Sequence, residues 1–225
     1  MSIKNLKDNS SEFLSIFRYE APIAVLGPGL RAGIWVQGCP FTCKGCIVPE
    51  SWNTAAGERV KIEELARWVL TQPDITGITL SGGEPMAQAA ALIQLIDTVQ
   101  SEADLGVMCY TGYVFERLQQ HGTNAQQALL ERIDLLVDGL YVENLHADLL
   151  WRGSTNQRLL PLSERHRTLI ENLEKHQDCS AGMEFFMNES GVPSFVGVPP
   201  VAGFRRKWEE TLLKRGIILG SSKNE

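Results

Sequence analysis

The chain has 225 residues, a net charge of −6, 44% hydrophobic and 21% charged residues, the make-up of one generous globular domain. It has no apolar run of the ~18 residues a membrane span needs, and its acidic balance speaks against nucleic acid as main partner, because phosphate binding concentrates Lys and Arg. The polar start from Met1 to Phe13 has no apolar stretch of a secretory leader, so the cytoplasm is the expected compartment.

In chain order, Met1 to Ser11 is a polar end, and Gly27, Pro28 and Gly29 mark a turn. Arg31 to Gln37 reads as a short buried strand and Gly38 to Asn53 as a functional loop. Lys61 to Thr71 carries Ile62, Leu65, Ala66 and Val69 at helical spacing. Ile75 to Leu80 is strand-like, and Gln88 to Gln100 returns to the helical rule through Leu92, Leu95, Ile96 and Val99. Leu105 to Tyr110 is the next strand, Val114 to about Gln120 a helix, and Ile133 to Val137 a further strand ending at Asp138-Gly139. Ser163 to Lys175 is expected as a helix with Leu169, Ile170 and Leu173 inward. Met183 to Met187 and Ser194 to Val198 resemble a hairpin around Asn188 to Gly191, and a last helix runs from Phe204 to Lys214.

Strands alternating with helices mark βαβ units, hence an α/β fold with a largely parallel sheet. Ligands in such sheets gather beyond the carboxyl ends of the strands. The Cys39 loop, the Gly-Gly pair after Leu80, the Thr-Gly pair after Tyr110 and Asp138 all follow strands. The candidate chemistry therefore collects on one rim.

Five cysteines are an odd count, and three of them, Cys39, Cys43 and Cys46, fall within eight residues while Cys109 and Cys179 stand alone. A disulfide framework is even in number and dispersed, so the trio points to metal. Three thiolates on one short loop can wrap a corner of an iron–sulfur cubane and leave a fourth iron exposed. Gly38 and Gly45 let the backbone pass close to the sulfides. The alternatives are a structural zinc site, for which no fourth His or Cys lies within a few residues, or three inert buried thiols.

Gly38-Cys-Pro-Phe-Thr-Cys-Lys-Gly-Cys-Ile-Val-Pro-Glu-Ser-Trp52 resembles the cluster loop of radical S-adenosylmethionine enzymes. More narrowly, it is similar to the activating enzymes of anaerobic ribonucleotide reductase, a glycyl radical enzyme. Gly27-Pro-Gly-Leu-Arg31, Ser81-Gly-Gly-Glu-Pro85, Tyr110-Thr-Gly-Tyr113, Asp138-Gly139, Gly153-Ser-Thr-Asn-Gln-Arg158 and Gly197-Val-Pro199 fit the same group. Two positions depart from its pattern: Ile47 stands where an aromatic or His is usual, and Val48 where Asn is common. The resemblance implies a partial (β/α)6-type barrel over residues 21–200 and leaves outside it an N-terminal extension (1–20) and a C-terminal helical tail (201–225).

It also implies an oxidoreductase holding a [4Fe-4S] cluster on Cys39, Cys43 and Cys46, with the open iron binding S-adenosylmethionine. Reductive cleavage of that cofactor yields a 5′-deoxyadenosyl radical, which abstracts hydrogen from a glycine of a partner such as the anaerobic reductase. A flavodoxin- or ferredoxin-type protein would supply the electron. Substrates of another kind, a small molecule or a different peptide, remain an alternative, as does a non-catalytic iron–sulfur or zinc binder.

By the same resemblance, Gly82, Gly83 and Glu84 face the methionine part of the cofactor, with the Glu84 carboxylate an acceptor for its ammonium. A strand-to-helix turn with a first-turn Glu explains those residues equally. Thr111 and Gly112 follow as candidate ribose contacts, with a helix N-cap the alternative for Thr111. Asp138 is a candidate ligand contact or a turn former. Arg152, Asn156 and Arg158 lie in a donor-rich stretch suited to clamping a carboxylate or a partner backbone, or else in a solvated loop. Phe204, Trp208 and Leu212 form a helical stripe, read as core or as a docking surface. The four histidines are scattered and carry no assigned chemistry.

Overall fold

The alternating elements assemble around one mixed sheet in the computed structural model, which describes residues 12–173, 178–187, 191 and 193–217. The strands are β1 (Phe13–Ile23), β2 (Arg31–Val36), β3 (Glu58–Lys61), β4 (Gly77–Gly82), β5 (Gly106–Tyr110), β6 (Leu135–Asp138) and β9 (Arg158–Pro161). Their order is β3-β1-β2-β4-β5-β6-β9. The central four, β2, β4, β5 and β6, are parallel; β1, β3 and β9 join antiparallel at the two sides. Helices α1 (Ile62–Leu70), α2 (Ala89–Gln100), α3 (Phe115–His121) and α4 (Asn124–Leu130) fill the crossovers. A small hairpin, β7 (His146–Leu149) with β8 (Arg152–Ser154), follows β6. After β9 come α5 (Arg167–Leu173), the antiparallel pair β10 (Met183–Met187) and β11 (Pro193–Gly197), and α6 (Phe204–Leu213). This is the expected partial barrel with its C-terminal hairpin and helix. Among the described residues, no helix is long and apolar enough to cross a membrane.

Period-two alternation along the parallel strands sorts the side chains. Ile34, Val36, Ile78, Leu80, Val107, Cys109 and Leu136 meet α1, α2 and α4 in the main core, joined by Leu65, Val69, Leu92 and Ile96 from the helices. The intervening residues, Trp35, Met108, Tyr110, Leu135 and Val137, belong to two smaller clusters on the opposite face. That inner face is where the sheet curls around a cavity.

The wholly buried Arg31 ties the amino ends of three strands together. Its guanidinium donates to the Thr79 hydroxyl (2.6 Å) and to the carbonyls of Pro28 (3.0 Å), Ile78 (2.6 Å) and Gly106 (2.9 Å). Among the described residues no carboxylate pairs with it, and burial lowers its pKa to about 10. The Gly-Pro-Gly-Leu-Arg stretch is thus a device for closing the sheet at the end away from the cysteines.

Several expectations change. Residues 13–23, which the sequence divides between an extension and the core, form one strand between β3 and β2. The strand expected from Ile133 begins at Leu135, and that from Ile75 at Gly77. Leu169, expected inward, is 41% exposed, because α5 packs on the β9 side of the sheet with little to cover it and none of its residues is fully buried. A 3-10 turn at Glu164–His166 precedes α5, and Lys175 lies outside the described residues. So do Asn188 to Ser190 of the expected hairpin turn.

Candidate functional site

The loop after β2 is held in shape by its own backbone. Gly38 N donates to Ser51 O (2.7 Å) and Cys39 N to Trp52 O (3.1 Å), which pins the two ends of the thiol-bearing segment together. Gln37 Nε2 donates to the carbonyls of Glu50 (2.9 Å) and Asn53 (2.8 Å). Gly38 and Gly45 sit at φ +96° and +77°, the left-handed region that side chains disfavour.

Cys39, Cys43 and Cys46 are free, half-buried and line one cavity of about 690 Å³. Burial is the main influence on all three thiols and pushes their pKa values up, that of Cys39 to about 11. N–H donors act against it: Phe41 N approaches Cys39 Sγ at 3.4 Å, and Val48 and Trp52 serve Cys46 in the same sense. Such donors stabilise thiolate, the form that binds metal. Cys43 and Cys46 each raise the Cys39 pKa, so the three thiols feel one another's charge. Yet among the described residues no three His, Cys, Asp or Glu side chains gather closely enough to hold a single ion. A cubane presents separate irons to separate thiolates, so a looser trio suits it, whereas tetrahedral zinc needs tighter packing and a fourth ligand.

Beside the start of the thiol loop, the end of β4 runs alongside the end of β2. Gly83 N donates to Val36 O and Glu84 N to Gly38 O, both at 2.8 Å. A Cβ on Gly83 would lie 2.2 Å from the Gly38 oxygen, and one on Gly82 would lie 2.6 Å from the Val36 backbone. The two glycines are required by this backbone-to-backbone approach, independently of any ligand. Gly112 similarly makes room for Phe41, whose ring would be 2.6 Å from an added Cβ.

Glu84 is 1% exposed and works as a knot. Its Oε1 accepts from Met86 N and the Thr111 hydroxyl, both at 2.9 Å, and its Oε2 accepts from Gly112 N at 2.8 Å. Burial outweighs these bonds and raises its pKa to about 7. Thr111 therefore serves Glu84 rather than capping α3, whose N-cap is Val114. Gly82, Gly83, Glu84, Thr111 and Gly112 all face the cavity that the cysteines line.

The remaining expected residues do not. Asp138 is 1% exposed; its Oδ2 accepts from Phe115 N (2.7 Å) and its carboxylate pairs with Arg158. Arg158 also forks onto Glu116, at 2.9 and 2.7 Å. Arg152 pairs with Asp178, and Asn156 Nδ2 donates to Leu140 O (2.8 Å). Each of these side chains is spent inside the chain, and together they shape the loop over β6. The neighbour Gln157 reaches the cavity, accepting from Gly153 N (2.9 Å) and donating to Gly139 O (3.1 Å).

The cavity has further walls that no local motif announces. Trp35 and Leu26 line it from the inner face, with Arg18 stacked 4.5 Å over the Trp35 ring. Phe195 to Pro199 and Phe204 to Arg206 close it from the C-terminal segment. Alternation in β2 places Trp35 on the face away from the helices. Arg18 and Arg205 meet the site through contacts across more than 150 residues of chain, for which no local signal exists.

Comparison with known proteins fits this arrangement. Residues 25–160 match the family described as a 4Fe-4S single cluster domain. The anaerobic ribonucleoside-triphosphate reductase-activating protein of Vibrio cholerae is 39% identical over 145 residues, which are 60% of this chain and 91% of that protein. The chain belongs to this family. The proteins of the same name from Enterobacteria phage T4 and Haemophilus influenzae are 35% and 32% identical, over 60% and 64% of this chain and 86% and 96% of their own lengths. The family's matched segment spans β2 to β9 and stops before α5, β10, β11 and α6, so the C-terminal wall of the cavity lies outside it.

Proposed function

We propose that the chain is a radical S-adenosylmethionine enzyme, an oxidoreductase that cleaves this cofactor reductively. We further propose that it installs a glycyl radical on a partner protein of the anaerobic ribonucleotide reductase kind. The observation that carries the reading is the shared cavity, which the three thiols line together with Gly82 to Glu84, Thr111 and Gly112. When bound, the cluster and the sulfonium cofactor supply the one-electron chemistry that produces a carbon-centred radical.

The chain's own residues have three tasks. Cys39, Cys43 and Cys46 hold the cluster, with N–H donors at the sulfurs tuning its potential. Carbonyls at the β4 end and the Glu84 carboxylate accept from the cofactor's ammonium. Glu84 is available for this only when ionised, and its raised pKa makes a neighbouring cation the group that keeps it so. Trp35, Leu26 and the apolar residues of β11 exclude water, which a reactive radical requires. A flavodoxin- or ferredoxin-type donor and a cytoplasmic setting belong to the same proposal, and the relatives' shared name supports its anaerobic, reductase-activating part.

The test is anaerobic reconstitution with iron and sulfide, followed by dithionite and S-adenosylmethionine. 5′-Deoxyadenosine should form, and Cys43→Ala should abolish both cluster and product; a brown, active variant would sink the assignment. A glycyl radical signal should then appear in a co-incubated anaerobic reductase. Product without that signal favours a second reading, a small-molecule or other peptide substrate, for which the C-terminal wall beyond the matched segment is the specific support.

A further inference from the structure

One side chain of α6 reaches the cysteine loop. Arg205 Nη1 donates to the Ile47 carbonyl at 2.8 Å and to Glu50 Oε2 at 2.7 Å, while its Nη2 pairs with Glu50 Oε1. Its Nε donates to Glu209 Oε1 at 2.7 Å, which orients the guanidinium from within α6. A planar fork on a carboxylate plus a carbonyl is geometry that Arg provides and Lys cannot. The Arg205 and Glu50 side chains are only 21% and 24% exposed, so the pair is not a freely solvated surface contact.

Both ends of this contact are anchored. Glu50 belongs to the 3-10 turn Pro49–Ser51, and the carbonyls of Ser51 and Trp52 receive Gly38 N and Cys39 N. Moving Glu50 therefore moves the frame of the thiol loop. On the other side, the rings of Phe204 and Trp208 pack against Phe195 of β11 at 5.4 and 4.7 Å. Arg18 Nη2 donates to the Phe195 carbonyl at 2.8 Å, binding β11 to β1. Helix α6 is thus fixed to the barrel before it touches the loop.

We propose that Arg205 is a positioning residue: from a segment outside the family's matched region, it fixes the backbone immediately after the third cysteine. This rests on the radical S-adenosylmethionine reading above. Ile47 and Val48 line the cavity beside Cys46, so the backbone that Arg205 holds is part of the cofactor's expected wall.

Arg205→Ala, Arg205→Lys and Glu50→Gln test this in the full-length protein. Arg205→Ala should take up iron and sulfide, yet raise KM for S-adenosylmethionine in substrate-free cleavage about tenfold, with kcat changed less than about twofold. The EPR spectrum of its reduced cluster should differ from wild type before the cofactor is added. Arg205→Lys should rescue little, because one compact ammonium cannot span the Ile47 carbonyl, both Glu50 oxygens and Glu209 as the planar guanidinium does. Glu50→Gln, which keeps one acceptor oxygen, should fall between. Wild-type KM and spectrum in Arg205→Ala would overturn the proposal; if that variant does not fold, wild-type behaviour of Glu50→Gln would do so. Faster amide hydrogen exchange across residues 40–52 in the variants is expected with or without a cluster. If the wild-type chain forms no cluster or cleaves no cofactor, the functional reading falls, while unchanged exchange overturns the positioning role by itself.

Discussion

Replacing Glu84 with Gln isolates the cost of keeping one carboxylate in the wall of the site. Burial raises its pKa from 4.5 to about 7. The folded state therefore binds this proton more tightly than the unfolded state does, and stability falls as pH rises from the unfolded value through the folded one. The full shift corresponds to about 3 kcal/mol, and between pH 5 and pH 8 the linkage relation leaves about 2.5 kcal/mol of it. Glutamine has no such titration, but its amide nitrogen faces Gly112 N, donor against donor, where Oε2 now accepts. That lost bond costs about 1–3 kcal/mol at every pH. Urea unfolding of both proteins should show wild type ahead at pH 5, with the gap closing by about 2–3 kcal/mol at pH 8. Parallel profiles would refute the assignment of this titration to Glu84. Cofactor binding supplies a second check: if the ionised carboxylate receives the ammonium, affinity should weaken below pH 7 in wild type and lose that dependence in the Gln variant.

Three further outcomes follow from contacts outside the thiols. Gly83→Ala places a Cβ 2.2 Å from the Gly38 oxygen, so the β4 and β2 ends must part; a loss of about 3 kcal/mol and lower iron uptake are expected by denaturation and metal analysis. Arg31→Met removes a desolvated charge but takes a donor from three carbonyls and from the Thr79 hydroxyl, which keeps only its own bond to Leu26 O; thermal unfolding should register a loss of about 3 kcal/mol. Arg158→Ala leaves the Asp138 carboxylate buried without its cation. The cost should be about 2–3 kcal/mol, below that of a fully buried pair because Arg158 is 42% exposed, and Asp138→Asn added to it should recover part in a double-mutant cycle.

Much of the site was legible because its signals are local. The spacing of Cys39, Cys43 and Cys46 sets which thiols share a loop, helical spacing placed α1 and α2, and short apolar runs placed β2 and β5, each within a residue or two. Gly82 and Gly83 were read as facing a cofactor or forming a turn, whereas the Val36 and Gly38 backbone they approach was not legible: a sequence does not name the distant backbone that forbids a Cβ. The donor-rich stretch from Arg152 to Arg158 shows the same division. Its composition advertises binding, and its partners proved to be Asp178, Leu140, Asp138 and Glu116 of the same chain.

What the amino-acid order determined alone is therefore the class of fold, the thiol trio and the rim on which the loops gather, since each follows from periodicity or from neighbours along the chain. Only the folded chain decided that Glu84 is a buried knot between two strand ends, that Asp138 answers to Arg158, and that a helix begun at Phe204 closes on the loop that begins at Gly38. Those are pairings between distant residues, and their energy comes from burial and charge, which exist only once the chain has brought them together.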